Sequence, residues 1–138
     1  MQSERRPSNI EIVFSDWLDA IRRGDLDCIA NALHPDAVHQ GIRPEWVCAN
    51  REEILENVAP RVANPPQVDA LELVASGDQV VMSVRGPGIG PPIDEDTEDC
   101  FDQATIVFTL HGGKITRMQD FVFRHEALDA AQASPRWD

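Results

Sequence analysis

The sequence predicts an α+β domain in which helices lie on one face of a curved antiparallel sheet. Apolar residues recur at intervals of three and four in the first half of the chain, and they alternate with polar residues from Gln67 onward. Short turn segments at 76–78 and 111–113 separate the alternating stretches, which favours hairpins over crossover helices. Helices followed by hairpin-linked strands are typical of this fold class.

Two helices are predicted at the start of the chain. Residues 8–11, Ser-Asn-Ile-Glu, have the spacing of a capping box, and the apolar stripe that follows predicts one long amphipathic helix. Gly24 is suited to the left-handed residue that ends such a helix. Asp25 caps a short second helix, which ends at His34-Pro35 because the residue before a proline disfavours helical backbone.

A brief strand and a third helix complete the first half. Residues 36–42 are assigned to the strand, and a loop through Trp46 follows it. Asn50 is suited to cap the third helix, and the apolar residues behind it give that helix an inward face. Pro60 is expected to kink or end the helix, because proline lacks the amide hydrogen that a helix interior requires.

Four strands are predicted in the second half, at residues 67–75, 79–86, 100–111 and 114–124. The connection formed by residues 86–99 is rich in Gly and Pro and then strongly acidic, so we expect a long exposed loop. We expect one domain over residues 1–138, with its core at about 8–126 and a flexible tail at 127–138.

Size and charge restrict the classes of partner. At 138 residues and 42% hydrophobic, the chain is long enough for one sizeable core. Its 12 basic and 24 acidic residues give a net charge of -12, which repels nucleic-acid phosphates and anionic lipid head groups. The sequence contains no apolar run of membrane-span length and no signal-peptide pattern. We therefore expect a cytoplasmic protein with no nucleic-acid or membrane partner.

No metal or other cofactor is predicted. The three cysteines are far apart and form no Cys-x-x-Cys motif, and the four histidines have no short metal-ligand spacing. The acidic stretch 94–99 lacks the Gly turn and the distal Glu of a standard calcium loop, so a solvated loop is the simpler interpretation. The Gly-rich residues 86–90 precede no Lys and no helix, and they are therefore not a phosphate-binding loop.

Asp120 is the leading candidate for a functional residue. It lies among apolar neighbours in the last predicted strand, and a buried carboxylate must find a partner, take up a proton or face a cavity that holds a polar ligand. The alternative is that its side chain points to solvent or caps a loop. Met118 and Val122 flank it at strand spacing, and we expect them, with Phe108, to line a pocket for a small hydrophobic molecule.

Four further side chains are candidates, each with a structural alternative. His39 is able to exchange a proton with a developing enolate or alkoxide, or it is an ordinary structural histidine. Arg85 is a candidate for polarising oxygen, although strand alternation places it outside the core. Asp102 has inward parity but begins its strand beside the acidic loop, where a solvated position is the alternative. Trp46 either stacks on an apolar ligand or packs its own loop.

Three runs of residues carry a family resemblance: 17–25 (WLDAIRRGD), 34–39 (HPDAVH) and 113–115 (GKI). Over residues 10–124 the chain resembles the nuclear transport factor 2-like superfamily, especially its SnoaL-like, polyketide cyclase-like branch. The resemblance implies a cone-shaped sheet wrapped around a long helix, an apolar pocket at the open end, and a homodimer formed through the outer face of the sheet. The superfamily includes isomerases, cyclases, dehydratases, epoxide hydrolases and non-catalytic domains, so fold does not settle chemistry.

Residues 113–121 are also similar to a strand of limonene epoxide hydrolase, in which an Asp at the position of Asp120 acts on a nucleophilic water. That family adds an Arg and a second Asp two residues apart. Arg85 matches the Arg, whereas Pro87 stands where the second Asp is expected, so epoxide hydrolysis lacks one carboxylate. SnoaL-like cyclases use an acid on the corresponding strand as general acid-base, which implies that role for Asp120.

Two functional hypotheses remain open. The first is an enzyme of the cyclase or isomerase type that acts on a hydrophobic carbonyl compound, with Asp120 moving the proton and His39 or Arg85 polarising oxygen. The second is a non-catalytic ligand-binding or assembly domain, in which Asp120 orients a ligand or closes an internal hydrogen bond. The incomplete set of partner residues favours the second hypothesis.

Overall fold

The computed structural model describes residues 8–93 and 99–133 of the chain. The helices are α1 (Asn9–Glu11), a π-helical segment named π1 (Ile12–Leu18), α2 (Asp19–Arg23), α3 (Leu26–Ala32), α4 (Arg51–Ala63) and α5 (Arg124–Ala131). The strands are β1 (Leu33–Gln40), β2 (Val47–Cys48), β3 (Ala70–Ser76), β4 (Gln79–Arg85), β5 (Gln103–His111) and β6 (Lys114–Phe121). None of these helices has the length and hydropathy that a membrane span requires.

The six strands form one curved sheet in the order β2-β1-β6-β5-β4-β3. Strands β3 to β6 form an antiparallel meander, as the hairpin signals predict. Strand β1 pairs with β6 in parallel, which the sequence analysis did not anticipate, and β2 adds to β1 antiparallel. The predicted α+β class, with a curved and mainly antiparallel sheet, is confirmed.

The N-terminal helical stretch is continuous from Asn9 to Arg23, but its middle is π-helical. The predicted capping box is present, because the Glu11 amide donates to Ser8 Oγ and the Ser8 amide donates to the Glu11 carboxylate, each at 3.1 Å. Gly24 ends the stretch in the left-handed conformation, with φ of 74°. The stretch packs on the inner face of the sheet, where the Trp17 ring meets the Phe108 ring edge to face.

Helix α4 continues through Pro60 to Ala63, so of the two expected outcomes, a kink or an end, the end does not occur. The helix is capped by Asn50 as predicted, with Asn50 Oδ1 accepting from the Glu53 amide at 3.0 Å. Pro60 lies in the last turn, and its carbonyl accepts the Asn64 amide at 3.0 Å, so one further turn forms beyond it. Of the predicted inward residues of α4, Ile54 and Val58 are buried in the main core, and Leu55 and Val62 are partly buried against it.

The outer face of the sheet is covered in part by α5, so helices lie on both faces and not on one as predicted. Three buried α5 residues pack against three buried valines of β3, β4 and β5, in the cluster Ala127, Leu128, Ala131, Val74, Val81 and Val107. The expectation of a flexible tail from residue 127 is therefore wrong for 127–131. The alternating strands have apolar residues on both faces, and a helix of small apolar residues can approach closely enough to cover the second face.

An ion pair anchors the start of α5 to the edge of the sheet. Arg124 Nε and Nη2 donate to the two carboxylate oxygens of Glu72, at 2.8 and 2.9 Å. The Glu72 side chain on β3 is only 1% exposed, whereas that of Arg124 is 16% exposed. Two parallel hydrogen bonds to a buried carboxylate fix the orientation of α5, because the guanidinium fork matches the carboxylate geometry.

In the connection after β4, Gly86, Ile89 and Gly90 are buried, which corrects the expectation of an exposed loop for those residues. The Ile89 amide donates to the Gly86 carbonyl at 3.3 Å, which closes a tight turn with Gly88 at a φ of 61°. Ile89 is only 3% exposed and joins the core, and the Gly90 amide donates to the Phe101 carbonyl at 2.7 Å. The acidic residues 94–98 lie outside the described residues.

We predict that Arg124→Met lowers the free energy of unfolding by about 3 kcal/mol, because it removes the two charge-assisted hydrogen bonds that the guanidinium donates to the buried Glu72 carboxylate. The double variant Glu72→Met/Arg124→Met should recover most of that loss, since an apolar pair no longer buries a charge. Urea denaturation of the two variants and of the unaltered chain measures both values. Equal losses in the single and double variants would contradict the role assigned to the charge pair.

Candidate functional site

The inner face of the sheet and the helices enclose a cavity of about 550 Å³. Its wall is mostly apolar and includes Leu18, Ile21, Ile54, Met82, Val84 and Ile106. Helix α4 contributes residues at intervals of three and four, so one face of that helix forms one side of the cavity. The turn after β4 contributes Ile89 and Gly90 to the wall. A cavity of this size and lining is typical of small-molecule sites.

His39 and Asp120 lie side by side at the cavity wall, with His39 Nε2 and Asp120 Oδ1 2.7 Å apart. The parallel pairing of β1 with β6 brings them together, because it sets His39 beside Met118, two residues before Asp120. Asp120 lies opposite Ile106 of β5, on the inner face of the sheet. The exposed fractions of the two side chains are 11% and 18%. The pair is therefore largely shielded from water but open to the cavity.

The hydrogen bond between the two side chains determines which of their remaining atoms can donate or accept a hydrogen bond. With Nε2–H donated to the Asp120 carboxylate, Nδ1 of His39 is an acceptor in the neutral imidazole and a donor in the imidazolium. Neither Nδ1 of His39 nor Oδ2 of Asp120 has a hydrogen-bond partner among the residues that the structure describes. Both atoms are thus available to a ligand, and the pair can accept, hold and return a proton.

Cys48 on β2 is the third chemically reactive side chain at this end of the cavity. It pairs with His39 across the strands and lines the cavity wall. Burial raises the pKa of the Cys48 thiol, and the nearby carboxylates of Glu53 and Asp120 raise it further. A thiol with a raised pKa is mostly protonated near neutral pH and is therefore a poor nucleophile. Cys48 contributes to the wall of the site more than to its chemistry.

Trp46 lines the cavity from a short loop that is held in place by backbone contacts. The Gly41 amide donates to the Trp46 carbonyl at 2.7 Å, and a Cβ at Gly41 would lie only 2.9 Å from Trp46 Cβ. Gln40 Nε2 donates to the Arg43 carbonyl at 2.8 Å, and the Arg43 guanidinium lies 5.2 Å from the centre of the Trp46 ring. This loop presents a fixed aromatic surface to the cavity.

The remaining predicted site residues lie away from this cavity. Arg85 is exposed on the outer face of the sheet, where it lines a shallow surface depression together with Val122. Asp102 is also exposed, and its carboxylate accepts the Gly88 amide at 2.8 Å, so it holds the turn after β4. Phe108 and Met118 share the inner face with Asp120 but are fully buried in the packed core. Strand alternation identified their face correctly, but at their positions along the strands the helices pack directly on the sheet, so neither side chain reaches the cavity.

Sequence reasoning missed several residues of the cavity wall. Arg61 lines it from α4, and its Nη1 donates to the Ile89 carbonyl at 2.8 Å. The spacing of Ile54, Val58 and Arg61 would have placed all three on one helix face, had the helix been extended past Pro60. Ile89 gave no signal, because a single apolar residue in a Gly- and Pro-rich stretch does not indicate burial.

Comparison with known families identifies the chain. Residues 14–118 match the model of the SnoaL-like domain, and the chain therefore belongs to the SnoaL-like family, as its sequence motifs suggested. The match includes His39 and ends two residues before Asp120. No protein of curated description matches the sequence.

Solved structures of similar fold include several with 14–22% sequence identity. A "putative polyketide cyclase", SMa1630 of Sinorhizobium meliloti, is 22% identical over 79% of this chain and 93% of its own, with a TM-score of 0.60. A second protein so described, pp0894 of Pseudomonas putida, is 16% identical over 94% and 99%, with a TM-score of 0.63. An NTF2-like protein of unknown function, mll8193 of Mesorhizobium loti, is 14% identical over 88% and 97%, with a TM-score of 0.63. These similarities show the fold.

We predict that Cys48 reacts slowly with iodoacetamide, with a pH midpoint above that of a free thiol, because its raised pKa keeps the thiolate population small. The measurement uses a Cys28→Ser/Cys100→Ser background, so that Cys48 is the single thiol. Adding Asp120→Asn should lower the midpoint, since it removes one of the carboxylates that raise this pKa. A midpoint at or below that of a free cysteine would show that the site activates the thiol.

Proposed function

We propose that this member of the SnoaL-like family is an acid-base enzyme of the cyclase or isomerase type, acting on a hydrophobic carbonyl compound. The observation that supports the proposal is the 2.7 Å contact of His39 with Asp120 at the wall of an apolar cavity. Two titratable side chains in mutual contact, each with a free atom toward a ligand space, form the minimal arrangement for moving a proton. The names of the two similar cyclase-described structures agree with this reaction class.

In the proposed reaction, Oδ2 of Asp120 removes a proton from the carbon next to the substrate carbonyl. The C–H bond breaks, and its electron pair moves into an enolate whose oxygen accepts a hydrogen bond from Nδ1–H of the His39 imidazolium. An isomerase then returns the proton to a different carbon. A cyclase instead lets the enolate carbon attack a second carbonyl carbon, and the resulting alkoxide takes the proton. No electrons are gained or lost, so no redox cofactor enters.

The surroundings of the pair support such a reaction. Apolar side chains from β4 and β5, such as Met82 and Ile106, keep the local dielectric low, which strengthens the hydrogen bond to a developing enolate. Trp46 offers a flat apolar surface on which an aromatic or polyene substrate can stack. His39 takes the oxygen-polarising role alone, because Arg85 lies on the other face of the sheet.

A non-catalytic binding role is the second candidate, and one observation favours it. The short hydrogen bond between His39 and Asp120 gives the partly buried carboxylate an internal partner, as a purely structural pair would. In that case the cavity binds a hydrophobic molecule without changing it. Epoxide hydrolysis is less favoured, because Pro87 replaces the second carboxylate and Arg85 lies outside the cavity.

We predict that Asp120→Asn lowers turnover by at least about 100-fold, because the amide retains the shape of the side chain but cannot exchange the proton. The matched control is Asp36→Asn, which alters an exposed carboxylate on β1 that does not line the cavity and should leave turnover unchanged. Each variant is assayed against a panel of enolisable polyketones, with thermal melting to check folding. Turnover of a panel member by Asp120→Asn at the full rate would exclude Asp120 as the acid-base.

The absence of any reaction in the unaltered chain, together with unchanged ligand binding in Asp120→Asn, would favour the binding role. The variant His39→Gln further distinguishes the catalytic role from the binding role. In an enzyme it should lower kcat more than it raises KM, because the imidazolium acts on the enolate and not on the bound ketone. In a binding protein it should alter affinity alone.

A cytoplasmic homodimer is part of the same proposal. Helix α5 covers the outer face over Val74, Val81 and Val107, but Phe123 beside it is 56% exposed. We predict that sedimentation at micromolar concentration gives a single species of twice the chain mass, because a second copy would cover the remaining apolar surface. Phe123→Asp should shift that species toward the monomer. A monomer in the unaltered chain would contradict this packing.

A further inference from the structure

Arg61 stands out among the charged residues at the cavity. It is the single Lys or Arg among the described residues that line the cavity, in a chain with 24 acidic and 12 basic residues. Other arginines form ion pairs with carboxylates, as Arg23 does with Asp19 and Arg124 with Glu72. Within the described residues Arg61 contacts no carboxylate, although acids outnumber bases two to one. Its positive charge is therefore available to an anionic group of a ligand.

The guanidinium of Arg61 is fixed in position by the turn after β4. Nη1 donates to the Ile89 carbonyl at 2.8 Å and Nη2 to the Gly90 carbonyl at 3.5 Å. That turn packs closely against β5, because a Cβ at Gly90 would lie 2.3 Å from the Gln103 carbonyl oxygen. A guanidinium has five N–H groups, and these two contacts leave donors for a ligand while leaving its charge uncompensated. A charge held in this way binds an anion with little ordering cost.

The position of Arg61 on α4 places it at the end of that helix away from the acid-base pair. Cys48, which pairs with His39, lies just before α4, and its thiol responds to both Glu53 in the first turn and Asp120. The first turn of α4 is therefore the end nearest the pair, and Arg61 is in the last turn. Ile54 and Arg61 line the same cavity seven residues apart, which is about 10 Å along a helix axis.

We propose that Arg61 is an anion-binding subsite that receives a carboxylate of the ligand. The ligand class is then an elongated, mostly apolar carboxylic acid whose carboxylate lies at the Arg61 end of α4 and whose reacting carbonyl lies toward the other end, near the acid-base pair. A monoanion is favoured over a phosphate ester, because one guanidinium on a chain of net charge -12 offsets one negative charge better than two. The identity of the reacting carbonyl rests on the proposed function, whereas the anion subsite does not require catalysis.

The subsite is tested by binding alone. Trp17 and Trp46 both line the cavity, so their fluorescence reports occupancy. The probes are straight-chain carboxylates of eight to twelve carbons, their methyl esters and alkyl phosphates of equal length. Arg61→Gln should weaken carboxylate binding about tenfold and methyl ester binding less than twofold, since only the carboxylate forms the charge-assisted hydrogen bond. Arg61→Lys should retain most of the carboxylate affinity.

Arg51→Gln is the matched control. It removes the same charge from the same helix, but Arg51 does not line the cavity, so carboxylate affinity should be unchanged. Equal loss for carboxylate and ester in Arg61→Gln would overturn the subsite, because Arg61 would then act only by holding the turn. If Arg51→Gln lost as much carboxylate affinity as Arg61→Gln, the effect would come from the net charge of the protein, and the subsite would be overturned. Tighter, Arg61-dependent binding of the alkyl phosphate would overturn the carboxylate assignment.

These outcomes are independent of Asp120. If Asp120→Asn leaves turnover intact while carboxylate binding still depends on Arg61, the acid-base role fails and the subsite stands. If turnover depends on Asp120 and carboxylate binding ignores Arg61, the subsite fails alone.

Discussion

The parallel contact between β1 and β6 is the constraint on which the site depends. These two strands come from opposite ends of the chain, and their pairing aligns His39 with Met118 and Gln40 with Gln119. Alternation along a strand then determines the faces, since a shift of one residue would turn His39 or Asp120 to the opposite side of the sheet. The pairing is irregular between Leu33 and Val38, and this irregularity adjusts the register before the strand reaches the cavity.

Local signals in the sequence predicted most elements and the faces of the meander. The capping residues Ser8 and Asn50 and the hairpin turns are visible in short windows, because their chemistry involves neighbours along the chain. Asp120 was singled out from its strand alone. The partnership with His39 joins residues 81 apart in sequence, and no single-sequence pattern encodes a parallel pairing of that kind.

The errors have a common physical cause, which is burial that depends on tertiary contacts. Ile89 and α5 gave weak local signals, because a Gly- and Pro-rich turn and an Ala-rich C-terminus resemble exposed segments. Each is ordered by a distant partner: Arg61 bonds the carbonyl of Ile89, and Glu72 bonds Arg124 at the start of α5. Phe108 and Met118 illustrate the converse, since alternation gives a side chain its face of the sheet but not its position relative to the cavity.

The π-helical segment π1 has a consequence for the geometry of the cavity. A π turn contains one residue more than an α turn, so the helix downstream is rotated relative to the helix upstream without a break in the backbone bonding. Trp17 and Leu18 at the end of π1, and Ile21 in α2, lie downstream of this change and line the cavity. The capped end at Ser8 is unaffected by it. Inserting or deleting one residue between Ile12 and Leu18 would therefore change which side chains of the downstream helix face the cavity, while the capped N-terminal turn would stay in place.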